Sequence, residues 1–325
     1  MSVTHADLEA HLEKIISDCK DPAAGLYGPD SKIWQVNKEA IIFLGAGRAA
    51  LLQTAHPFVA HGVDQHSQTK TNPAGRFQRT FANVFAMVFG DLDSALTSAK
   101  RVHRIHDMIT GKITERVGAF DEGSAYEAND EDALFWVHAT LWDTSVLIYE
   151  LLFRDLSDLE KETYYQETKK FAYLFGVPDE RMPKSWTDFM AYNERMWESD
   201  TLAVGAPAAE LRKFLLSPAA PWQKPIMDWY KIMTAGLLPP RIRHLYRFEY
   251  GRLEKRIFDL SIQAMRLGIR IVPGQLRYFP AYKDAKLRLK GIEGRDRIGA
   301  LMDKAVIVGM KKAKAAAQKN ATEAA

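Results

Sequence analysis

Apolar positions recur at a helical period along almost the whole chain. Leu8, Leu12, Ile15 and Ile16 follow i, i+4, i+7, i+8 spacing and predict a first amphipathic helix. Residues 22–33, with Pro22, Gly25, Gly28 and Pro29, read as a loop. A helical pattern runs from Val36 towards His66 with a bend at Pro57. Another spans 74–89 and stops at Gly90; the next, capped by Asp93 or Ser94, runs to Gly111. Residues 112–130 look irregular. Asp130 or Glu131 then opens a long apolar helix through Phe153. Helices are predicted at 157–175, 185–200, 207–216, 222–235, 250–268 and 293–318, punctuated by prolines. The strand-like runs are short, Ile269–Val272 and Leu276–Tyr278. The pattern predicts an all-α protein, a single helical domain, with Ser217–Pro221 a weak candidate boundary between two helical layers.

Composition narrows the chemistry. With 47% apolar and 26% charged residues among 325, the chain is an ordinary globular one rather than a disordered or fibrous one. The net charge of +3 leaves no nucleic-acid footprint. A single cysteine, Cys19, rules out an internal disulfide framework and a four-cysteine metal site. No run of 18 apolar residues occurs and the N-terminus lacks the shape of a signal peptide, so a cytoplasmic protein with no integral membrane segment is expected. The basic, Ala-rich stretch 311–319 reads as a solvated helix end.

Six of the nine histidines fall between His56 and His138. His56, His61 and His66 are spaced by five, about 500° of helix, so they do not line one face. One or two of them read as ordinary hydrogen-bonded histidines, with one a pocket-lining candidate. His103 and His106 stand at i, i+3, with Ile105, Met108 and Ile109 placing His106 near the apolar side. His138 lies among apolar and aromatic residues with Trp142 at i+4; burying it there is costly without a partner. Arg76 and Thr80 share a helix face, Arg79 is one step away, and Phe81, Val84, Phe85, Val88 and Phe89 continue as an apolar stripe. Ala40 to Ala50 imitates a strand entering a GxGxxA dinucleotide turn, but no acidic residue follows at the required distance and no strand–helix alternation supports it. The alternative is a helix whose Gly45 and Gly47 allow close approach of another helix or a flat ligand, with Arg48 on that face free to pair with an anion. No Glu-x-x-His pair marks a diiron centre and no G-x-S-x-G elbow marks a hydrolase. Inward histidines, arginines and many aromatic residues suit a flat apolar cofactor held between helices, and haem meets those requirements.

These residues also carry a family likeness. Gly45, Gly47, Arg48 and Gln53, then His56, Pro57, Val59, Gly62, Val63, His66 and Ser67, resemble the MpaB/rubber oxygenase family. The likeness continues through Arg76, Arg79 and Thr80, through Ile105, His106, Ile109 and Gly111, through Tyr126 and Ala128, and through Trp136 to Leu141. It is strongest over 40–195, and it implies an N-terminal helix and loop over 1–33 followed by a haem-binding, globin-like all-α domain over 34–325.

The resemblance implies one haem b (iron), with His106 as the metal ligand. It implies Arg76, Arg79 and Arg48 as cofactor-binding cations, and Thr80, His138 and Arg79 at the catalytic face. Relatives include latex-clearing proteins, which cleave polyisoprene double bonds with O2, and a fungal enzyme that shortens a prenyl chain. The implied activity is haem-dependent oxygenation of a small lipophilic unsaturated substrate with O2. Some latex-clearing enzymes carry a lysine just before the threonine that can ligate iron; here Arg79 stands there and has no lone pair to give, so an open or water-occupied distal side is expected. The N-terminal membrane span of the fungal relatives is not seen. Two alternatives stay open: a haem-binding or sensing protein without turnover, and a non-haem metal enzyme using His103, His106 and His138.

Overall fold

The computed structural model describes residues 1–66, 73–218, 220–292 and 294, and of residues 73–79 the backbone alone. The fold is all-α. In chain order its helices are α1 His5–Asp18, α2 Lys32–Asn37, α3 Ala46–Thr54, α4 Pro57–His66, α5 Pro73–Phe89, α6 Leu92–His106, α7 Glu131–Leu152, α8 Asp158–Tyr173, α9 Trp186–Glu198, α10 Ala206–Leu215, α11 Lys224–Leu237, α12 Pro240–Leu245, α13 Arg252–Ile271, α14 Gly274–Arg277 and α15 Pro280–Arg288. Among the described residues the only sheet is an antiparallel pair, β1 Thr110–Lys112 and β2 Ala125–Glu127, registered Gly111 opposite Tyr126.

Helix ends follow local chemistry. Thr4 and Asp7 form a reciprocal capping box at α1, and Ser157 and Glu160 do the same at α8. Asp130 caps α7 by accepting the Ala133 N–H at 2.9 Å. Asp91 caps α6 by accepting the Ser94 N–H at 2.8 Å, which moves that helix start upstream of the expected Asp93 or Ser94. The same helix ends at His106, not Gly111, because the backbone turns into the hairpin, where Ile109 O accepts the Ala128 N–H at 2.9 Å.

Helix α7 is the axis of the molecule. Its composition is apolar on nearly every side, and it is buried accordingly. Phe135 and Trp136 enter one core with Leu51, Leu52, Tyr165 and Phe189. Trp142 and Val146 enter a second with Leu8, Leu12, Trp34, Phe89 and Phe171, and Ile148 and Leu152 enter a third with Leu44, Met233 and Ile262. Helices α2, α3, α8 and α13 pack directly on it. Helices α5 and α6 form an antiparallel pair, so the N-terminal half of α5 lies at the same end as His106.

Two sequence expectations fail instructively. The continuous helix from Val36 to His66 is instead α2, a 3₁₀ segment Ala40–Gly45, α3 and α4, with Pro57 opening α4. Tertiary contact explains the breaks: a Cβ on Gly45 would lie 2.3 Å from Thr144 Cγ2, and one on Gly47 2.5 Å from Thr234 Oγ1. The glycines therefore serve close helix approach, and Gly45 keeps an ordinary φ of −79° rather than a dinucleotide turn. The strand-like Ile269–Val272 and Leu276–Tyr278 are the end of α13 and helix α14, because Ile269 packs into the third core where a helix presents it. The helix expected over 293–318 and the basic stretch 311–319 lie outside the described residues, apart from Gly294.

Gly45→Ala should overpack the α3–α7 contact and cost about 1–3 kcal/mol, read as a lowered midpoint in urea unfolding of the full chain.

Candidate functional site

The histidines of α4 tie that helix to its surroundings. His61 Nδ1 lies 2.9 Å from Pro57 O and its Nε2 3.3 Å from Thr114 Oγ1, so both ring nitrogens are engaged. His66 Nε2 lies 2.9 Å from Thr110 O. His56 Nδ1 accepts the Phe58 N–H at 3.3 Å, and burial between Phe58 and Phe120 lowers its pKa to about 4. These three do not converge on one point, in keeping with their spacing.

Arg48 is buried and committed within the protein. Its Nη2 donates to Asp143 Oδ2 at 2.6 Å, its Nη1 to Thr144 Oγ1 at 2.5 Å and its Nε to Leu237 O at 2.9 Å. The guanidinium thereby joins α3 to α7 and to the end of α11, with the Trp197 ring 5.8 Å away. Its charge is neutralised by Asp143, so the free anion-pairing cation expected from sequence is here a structural one. Asp143 itself gave no signal in the sequence beyond a lone acid in an apolar helix.

His103 and His106 lie in the last turn of α6 and face different neighbours. His103 is buried against α1, its ring 6.2 Å from that of His5, with Nε2 3.5 Å from Asp107 Oδ1 and neither ring nitrogen hydrogen-bonded. His106 turns to Phe175, beyond the end of α8, with ring centroids 6.5 Å apart. Burial lowers the His106 pKa to about 4, with the neighbouring Asn129 and Asp107 opposing the shift. Asn129 Nδ2 in turn donates to Asp107 Oδ1 at 2.7 Å. The ring is neutral at pH 7 and its Nδ1 is buried with no hydrogen-bond partner. A neutral imidazole carries one N–H and one lone pair. A neutral ring with a buried, unengaged nitrogen is the kind of donor an iron ligand needs, so His106 fits a haem-type group.

His138, on α7, is buried and differently wired. Its Nδ1 accepts the Trp142 indole N–H at 3.0 Å, while its Nε2 is buried and unpartnered. Phe135 stacks on the ring at 5.5 Å and 27°, and Phe171 lies 6.1 Å away. Burial lowers its pKa to about 3. Phe171 and Phe175, with ring centroids 5.2 Å apart, link the surroundings of His138 to those of His106. This aromatic bridge and Asn129 escaped the sequence reading; the i, i+4 spacing of the two phenylalanines was its one visible trace.

Thr80 is exposed on α5, and the side chains of Arg76 and Arg79 lie outside the described residues. Among the described residues no group of three His, Cys, Asp or Glu side chains is arranged to hold a metal ion, which corrects the alternative of a metal bound by His103, His106 and His138 together. Those histidines face α1, Phe175 and Trp142 respectively. Two clefts, of about 380 Å³ beside His5, Lys100 and His103 and about 600 Å³ beside Arg243, Tyr250 and Lys255, are lined by neither His106 nor His138. Among the described residues no helix is long and apolar enough to cross a membrane.

The structure is thus an all-α fold with half-buried His106 and buried His138 beside a layer of phenylalanines. Residues 33–267 match the family described as ER-bound oxygenase mpaB/B'/Rubber oxygenase, catalytic domain, and since they make up well over half of the chain, the protein belongs to that family. It is 28% identical over 152 residues to the uncharacterized proteins Mb2261 of Mycobacterium bovis and Rv2237 of Mycobacterium tuberculosis. That match covers 46% of this chain and 59% of each relative, so the chain spans less than two thirds of their length. No solved structure matches the chain.

Two outcomes test these assignments. Arg48→Met should cost about 3–5 kcal/mol by leaving Asp143 buried and unpaired, and Arg48→Met with Asp143→Leu should recover most of it in urea titrations. His138 has a folded pKa below its unfolded value of about 6.5, so its protonation favours unfolding. Its stabilising contribution is therefore full above about pH 6.5 and is lost as pH falls towards the folded value, with a slope of about 1.4 kcal/mol per pH unit. His138→Gln should remove one proton's share of that slope between pH 6.5 and 4, read by denaturant unfolding at each pH.

Proposed function

We propose that this protein is an oxygenase that binds one haem b through His106 and oxidises or cleaves a lipophilic unsaturated small molecule. The observation that carries the reading is the neutral, half-buried His106 ring with a buried, unengaged Nδ1, in a chain of an oxygenase family. Bound haem would supply O2 activation. The remaining work falls to the chain's own residues.

Asn129, whose Nδ2 donates to Asp107 Oδ1 next to His106 in the chain, would help to orient that ring. Arg76 and Arg79, on the first two turns of α5, are the cations left to neutralise the propionates, since Arg48 is neutralised by Asp143. Arg79 has no lone pair to give a metal, so it would serve in charge pairing rather than ligation. Thr80, on the same stretch of α5, would supply a hydroxyl beside these arginines. Phe135, Phe171, Phe175 and Trp142 make the surroundings of the two histidines apolar, which excludes water and suits an unsaturated hydrocarbon substrate.

The purified protein should show a Soret band that His106→Ala abolishes and His103→Ala retains. Haem with unchanged coordination in His106→Ala would refute the ligand assignment. Loaded protein should consume O2 with isoprenoid alkenes and not with their saturated analogues; no consumption with any alkene tested would leave haem binding and remove the oxygenase activity.

A further inference from the structure

His138 presents a buried polar atom that the fold leaves without a partner. Its Nε2 meets no hydrogen-bonding group, and an unsatisfied buried donor or acceptor is costly to maintain. The identity of that atom is fixed by its neighbour. The Trp142 indole nitrogen is a donor only and sits 3.0 Å from His138 Nδ1, one helical turn along α7. Nδ1 must therefore be the accepting, unprotonated nitrogen. Buried among Phe135, Phe171 and Trp142, the ring is neutral at pH 7, so its one proton resides on Nε2. Rotating the ring about its axis would lose the indole bond, and the stacked Phe135 face opposes that rotation.

We propose that Trp142 is a positioning residue that locks His138 as the Nε2–H tautomer, making this nitrogen a hydrogen-bond donor to an oxygen atom of a bound molecule and closing His138 as an iron ligand. The inference rests on the reading of the site given above and deepens it. The two imidazoles are wired differently: in His106 it is Nδ1 that is unengaged, whereas in His138 Nδ1 is engaged by Trp142 and Nε2 is left unengaged. The acceptor that fits His138 is a small neutral or partly negative oxygen, as in O2 or the carbonyl of an oxidised alkene. A cation or a metal is excluded at this nitrogen because its lone pair is not available.

The test is ¹⁵N NMR of the full-length chain at pH 7 with labelled histidine and tryptophan. The sample is taken haem-free, and also in the diamagnetic reduced, carbon-monoxide-bound state if haem is present. His138 should show a protonated-type shift at Nε2, an unprotonated-type shift at Nδ1, and a ¹⁵N–¹⁵N coupling across the bond to Trp142 Nε1. In Trp142→Phe the tautomer ratio should move about tenfold towards Nδ1–H, the weight of one buried hydrogen bond. An Nδ1–H tautomer or an imidazolium in the wild type, no coupling, or an unchanged ratio in Trp142→Phe overturns the proposal. If Trp142→Phe does not fold, the wild-type tautomer and coupling decide it. The measurement needs no haem, so its failure leaves the His106 ligand assignment standing, and loss of the Soret test leaves this one standing.

Discussion

The buried pair of Arg48 and Asp143 is the constraint on which the arrangement depends. A guanidinium that is almost wholly shielded from solvent must have its charge matched and its N–H groups satisfied, and Asp143, Thr144 and Leu237 O do both. The pair forms because α3 and α7 approach closely, which Gly45 allows against Thr144 and Ile148, while Gly47 allows the approach of α11 at Thr234 and Tyr230. The contact fixes the height of α7 relative to α3 and α11. His138 sits one to two turns before Asp143 on the same helix, so the ion pair also sets where that imidazole lies.

From this axis the site is assembled by neighbours rather than by one motif. Helix α6 brings His106 to its last turn, Asn129 arrives from the segment between β2 and α7, and Phe171 and Phe175 come from the end of α8. Each histidine is tuned by what it meets. Burial makes His56, His106 and His138 poor bases, and in His56 and His138 a donor engages Nδ1. The same residue type thus serves as a helix tie in His61 and leaves a buried ring nitrogen unengaged in His106 and His138.

Much of this was legible in the chain. The helical periods at 74–89, 131–153, 157–175 and 185–200 survive in α5, α7, α8 and α9, because their apolar periods act locally, as do the caps Asp130, Ser157 and Ser185 of the last three. The isolated character of His56, His61 and His66 follows from their five-residue spacing alone. What failed were segments where tertiary contact overrides local preference. The run Val36 to His66 had the period of one helix, yet it is cut into four pieces by packing against α7 and α11. Ile269 and Leu276, apolar enough for strands, are held in helices by the core beneath α13 and by the turn at Pro273.

The amino-acid sequence determined the fold class, the long helices and their caps, and the set of histidines and arginines available, since these depend on spacing within a few residues. The tertiary structure decided which charges are already matched and which ring nitrogens are unengaged. Arg48 read as a free cation until Asp143, ninety-five positions away, was found against it. Hydrogen-bond partners of a buried group come from distant parts of the chain, and a linear pattern carries no record of which of them meet.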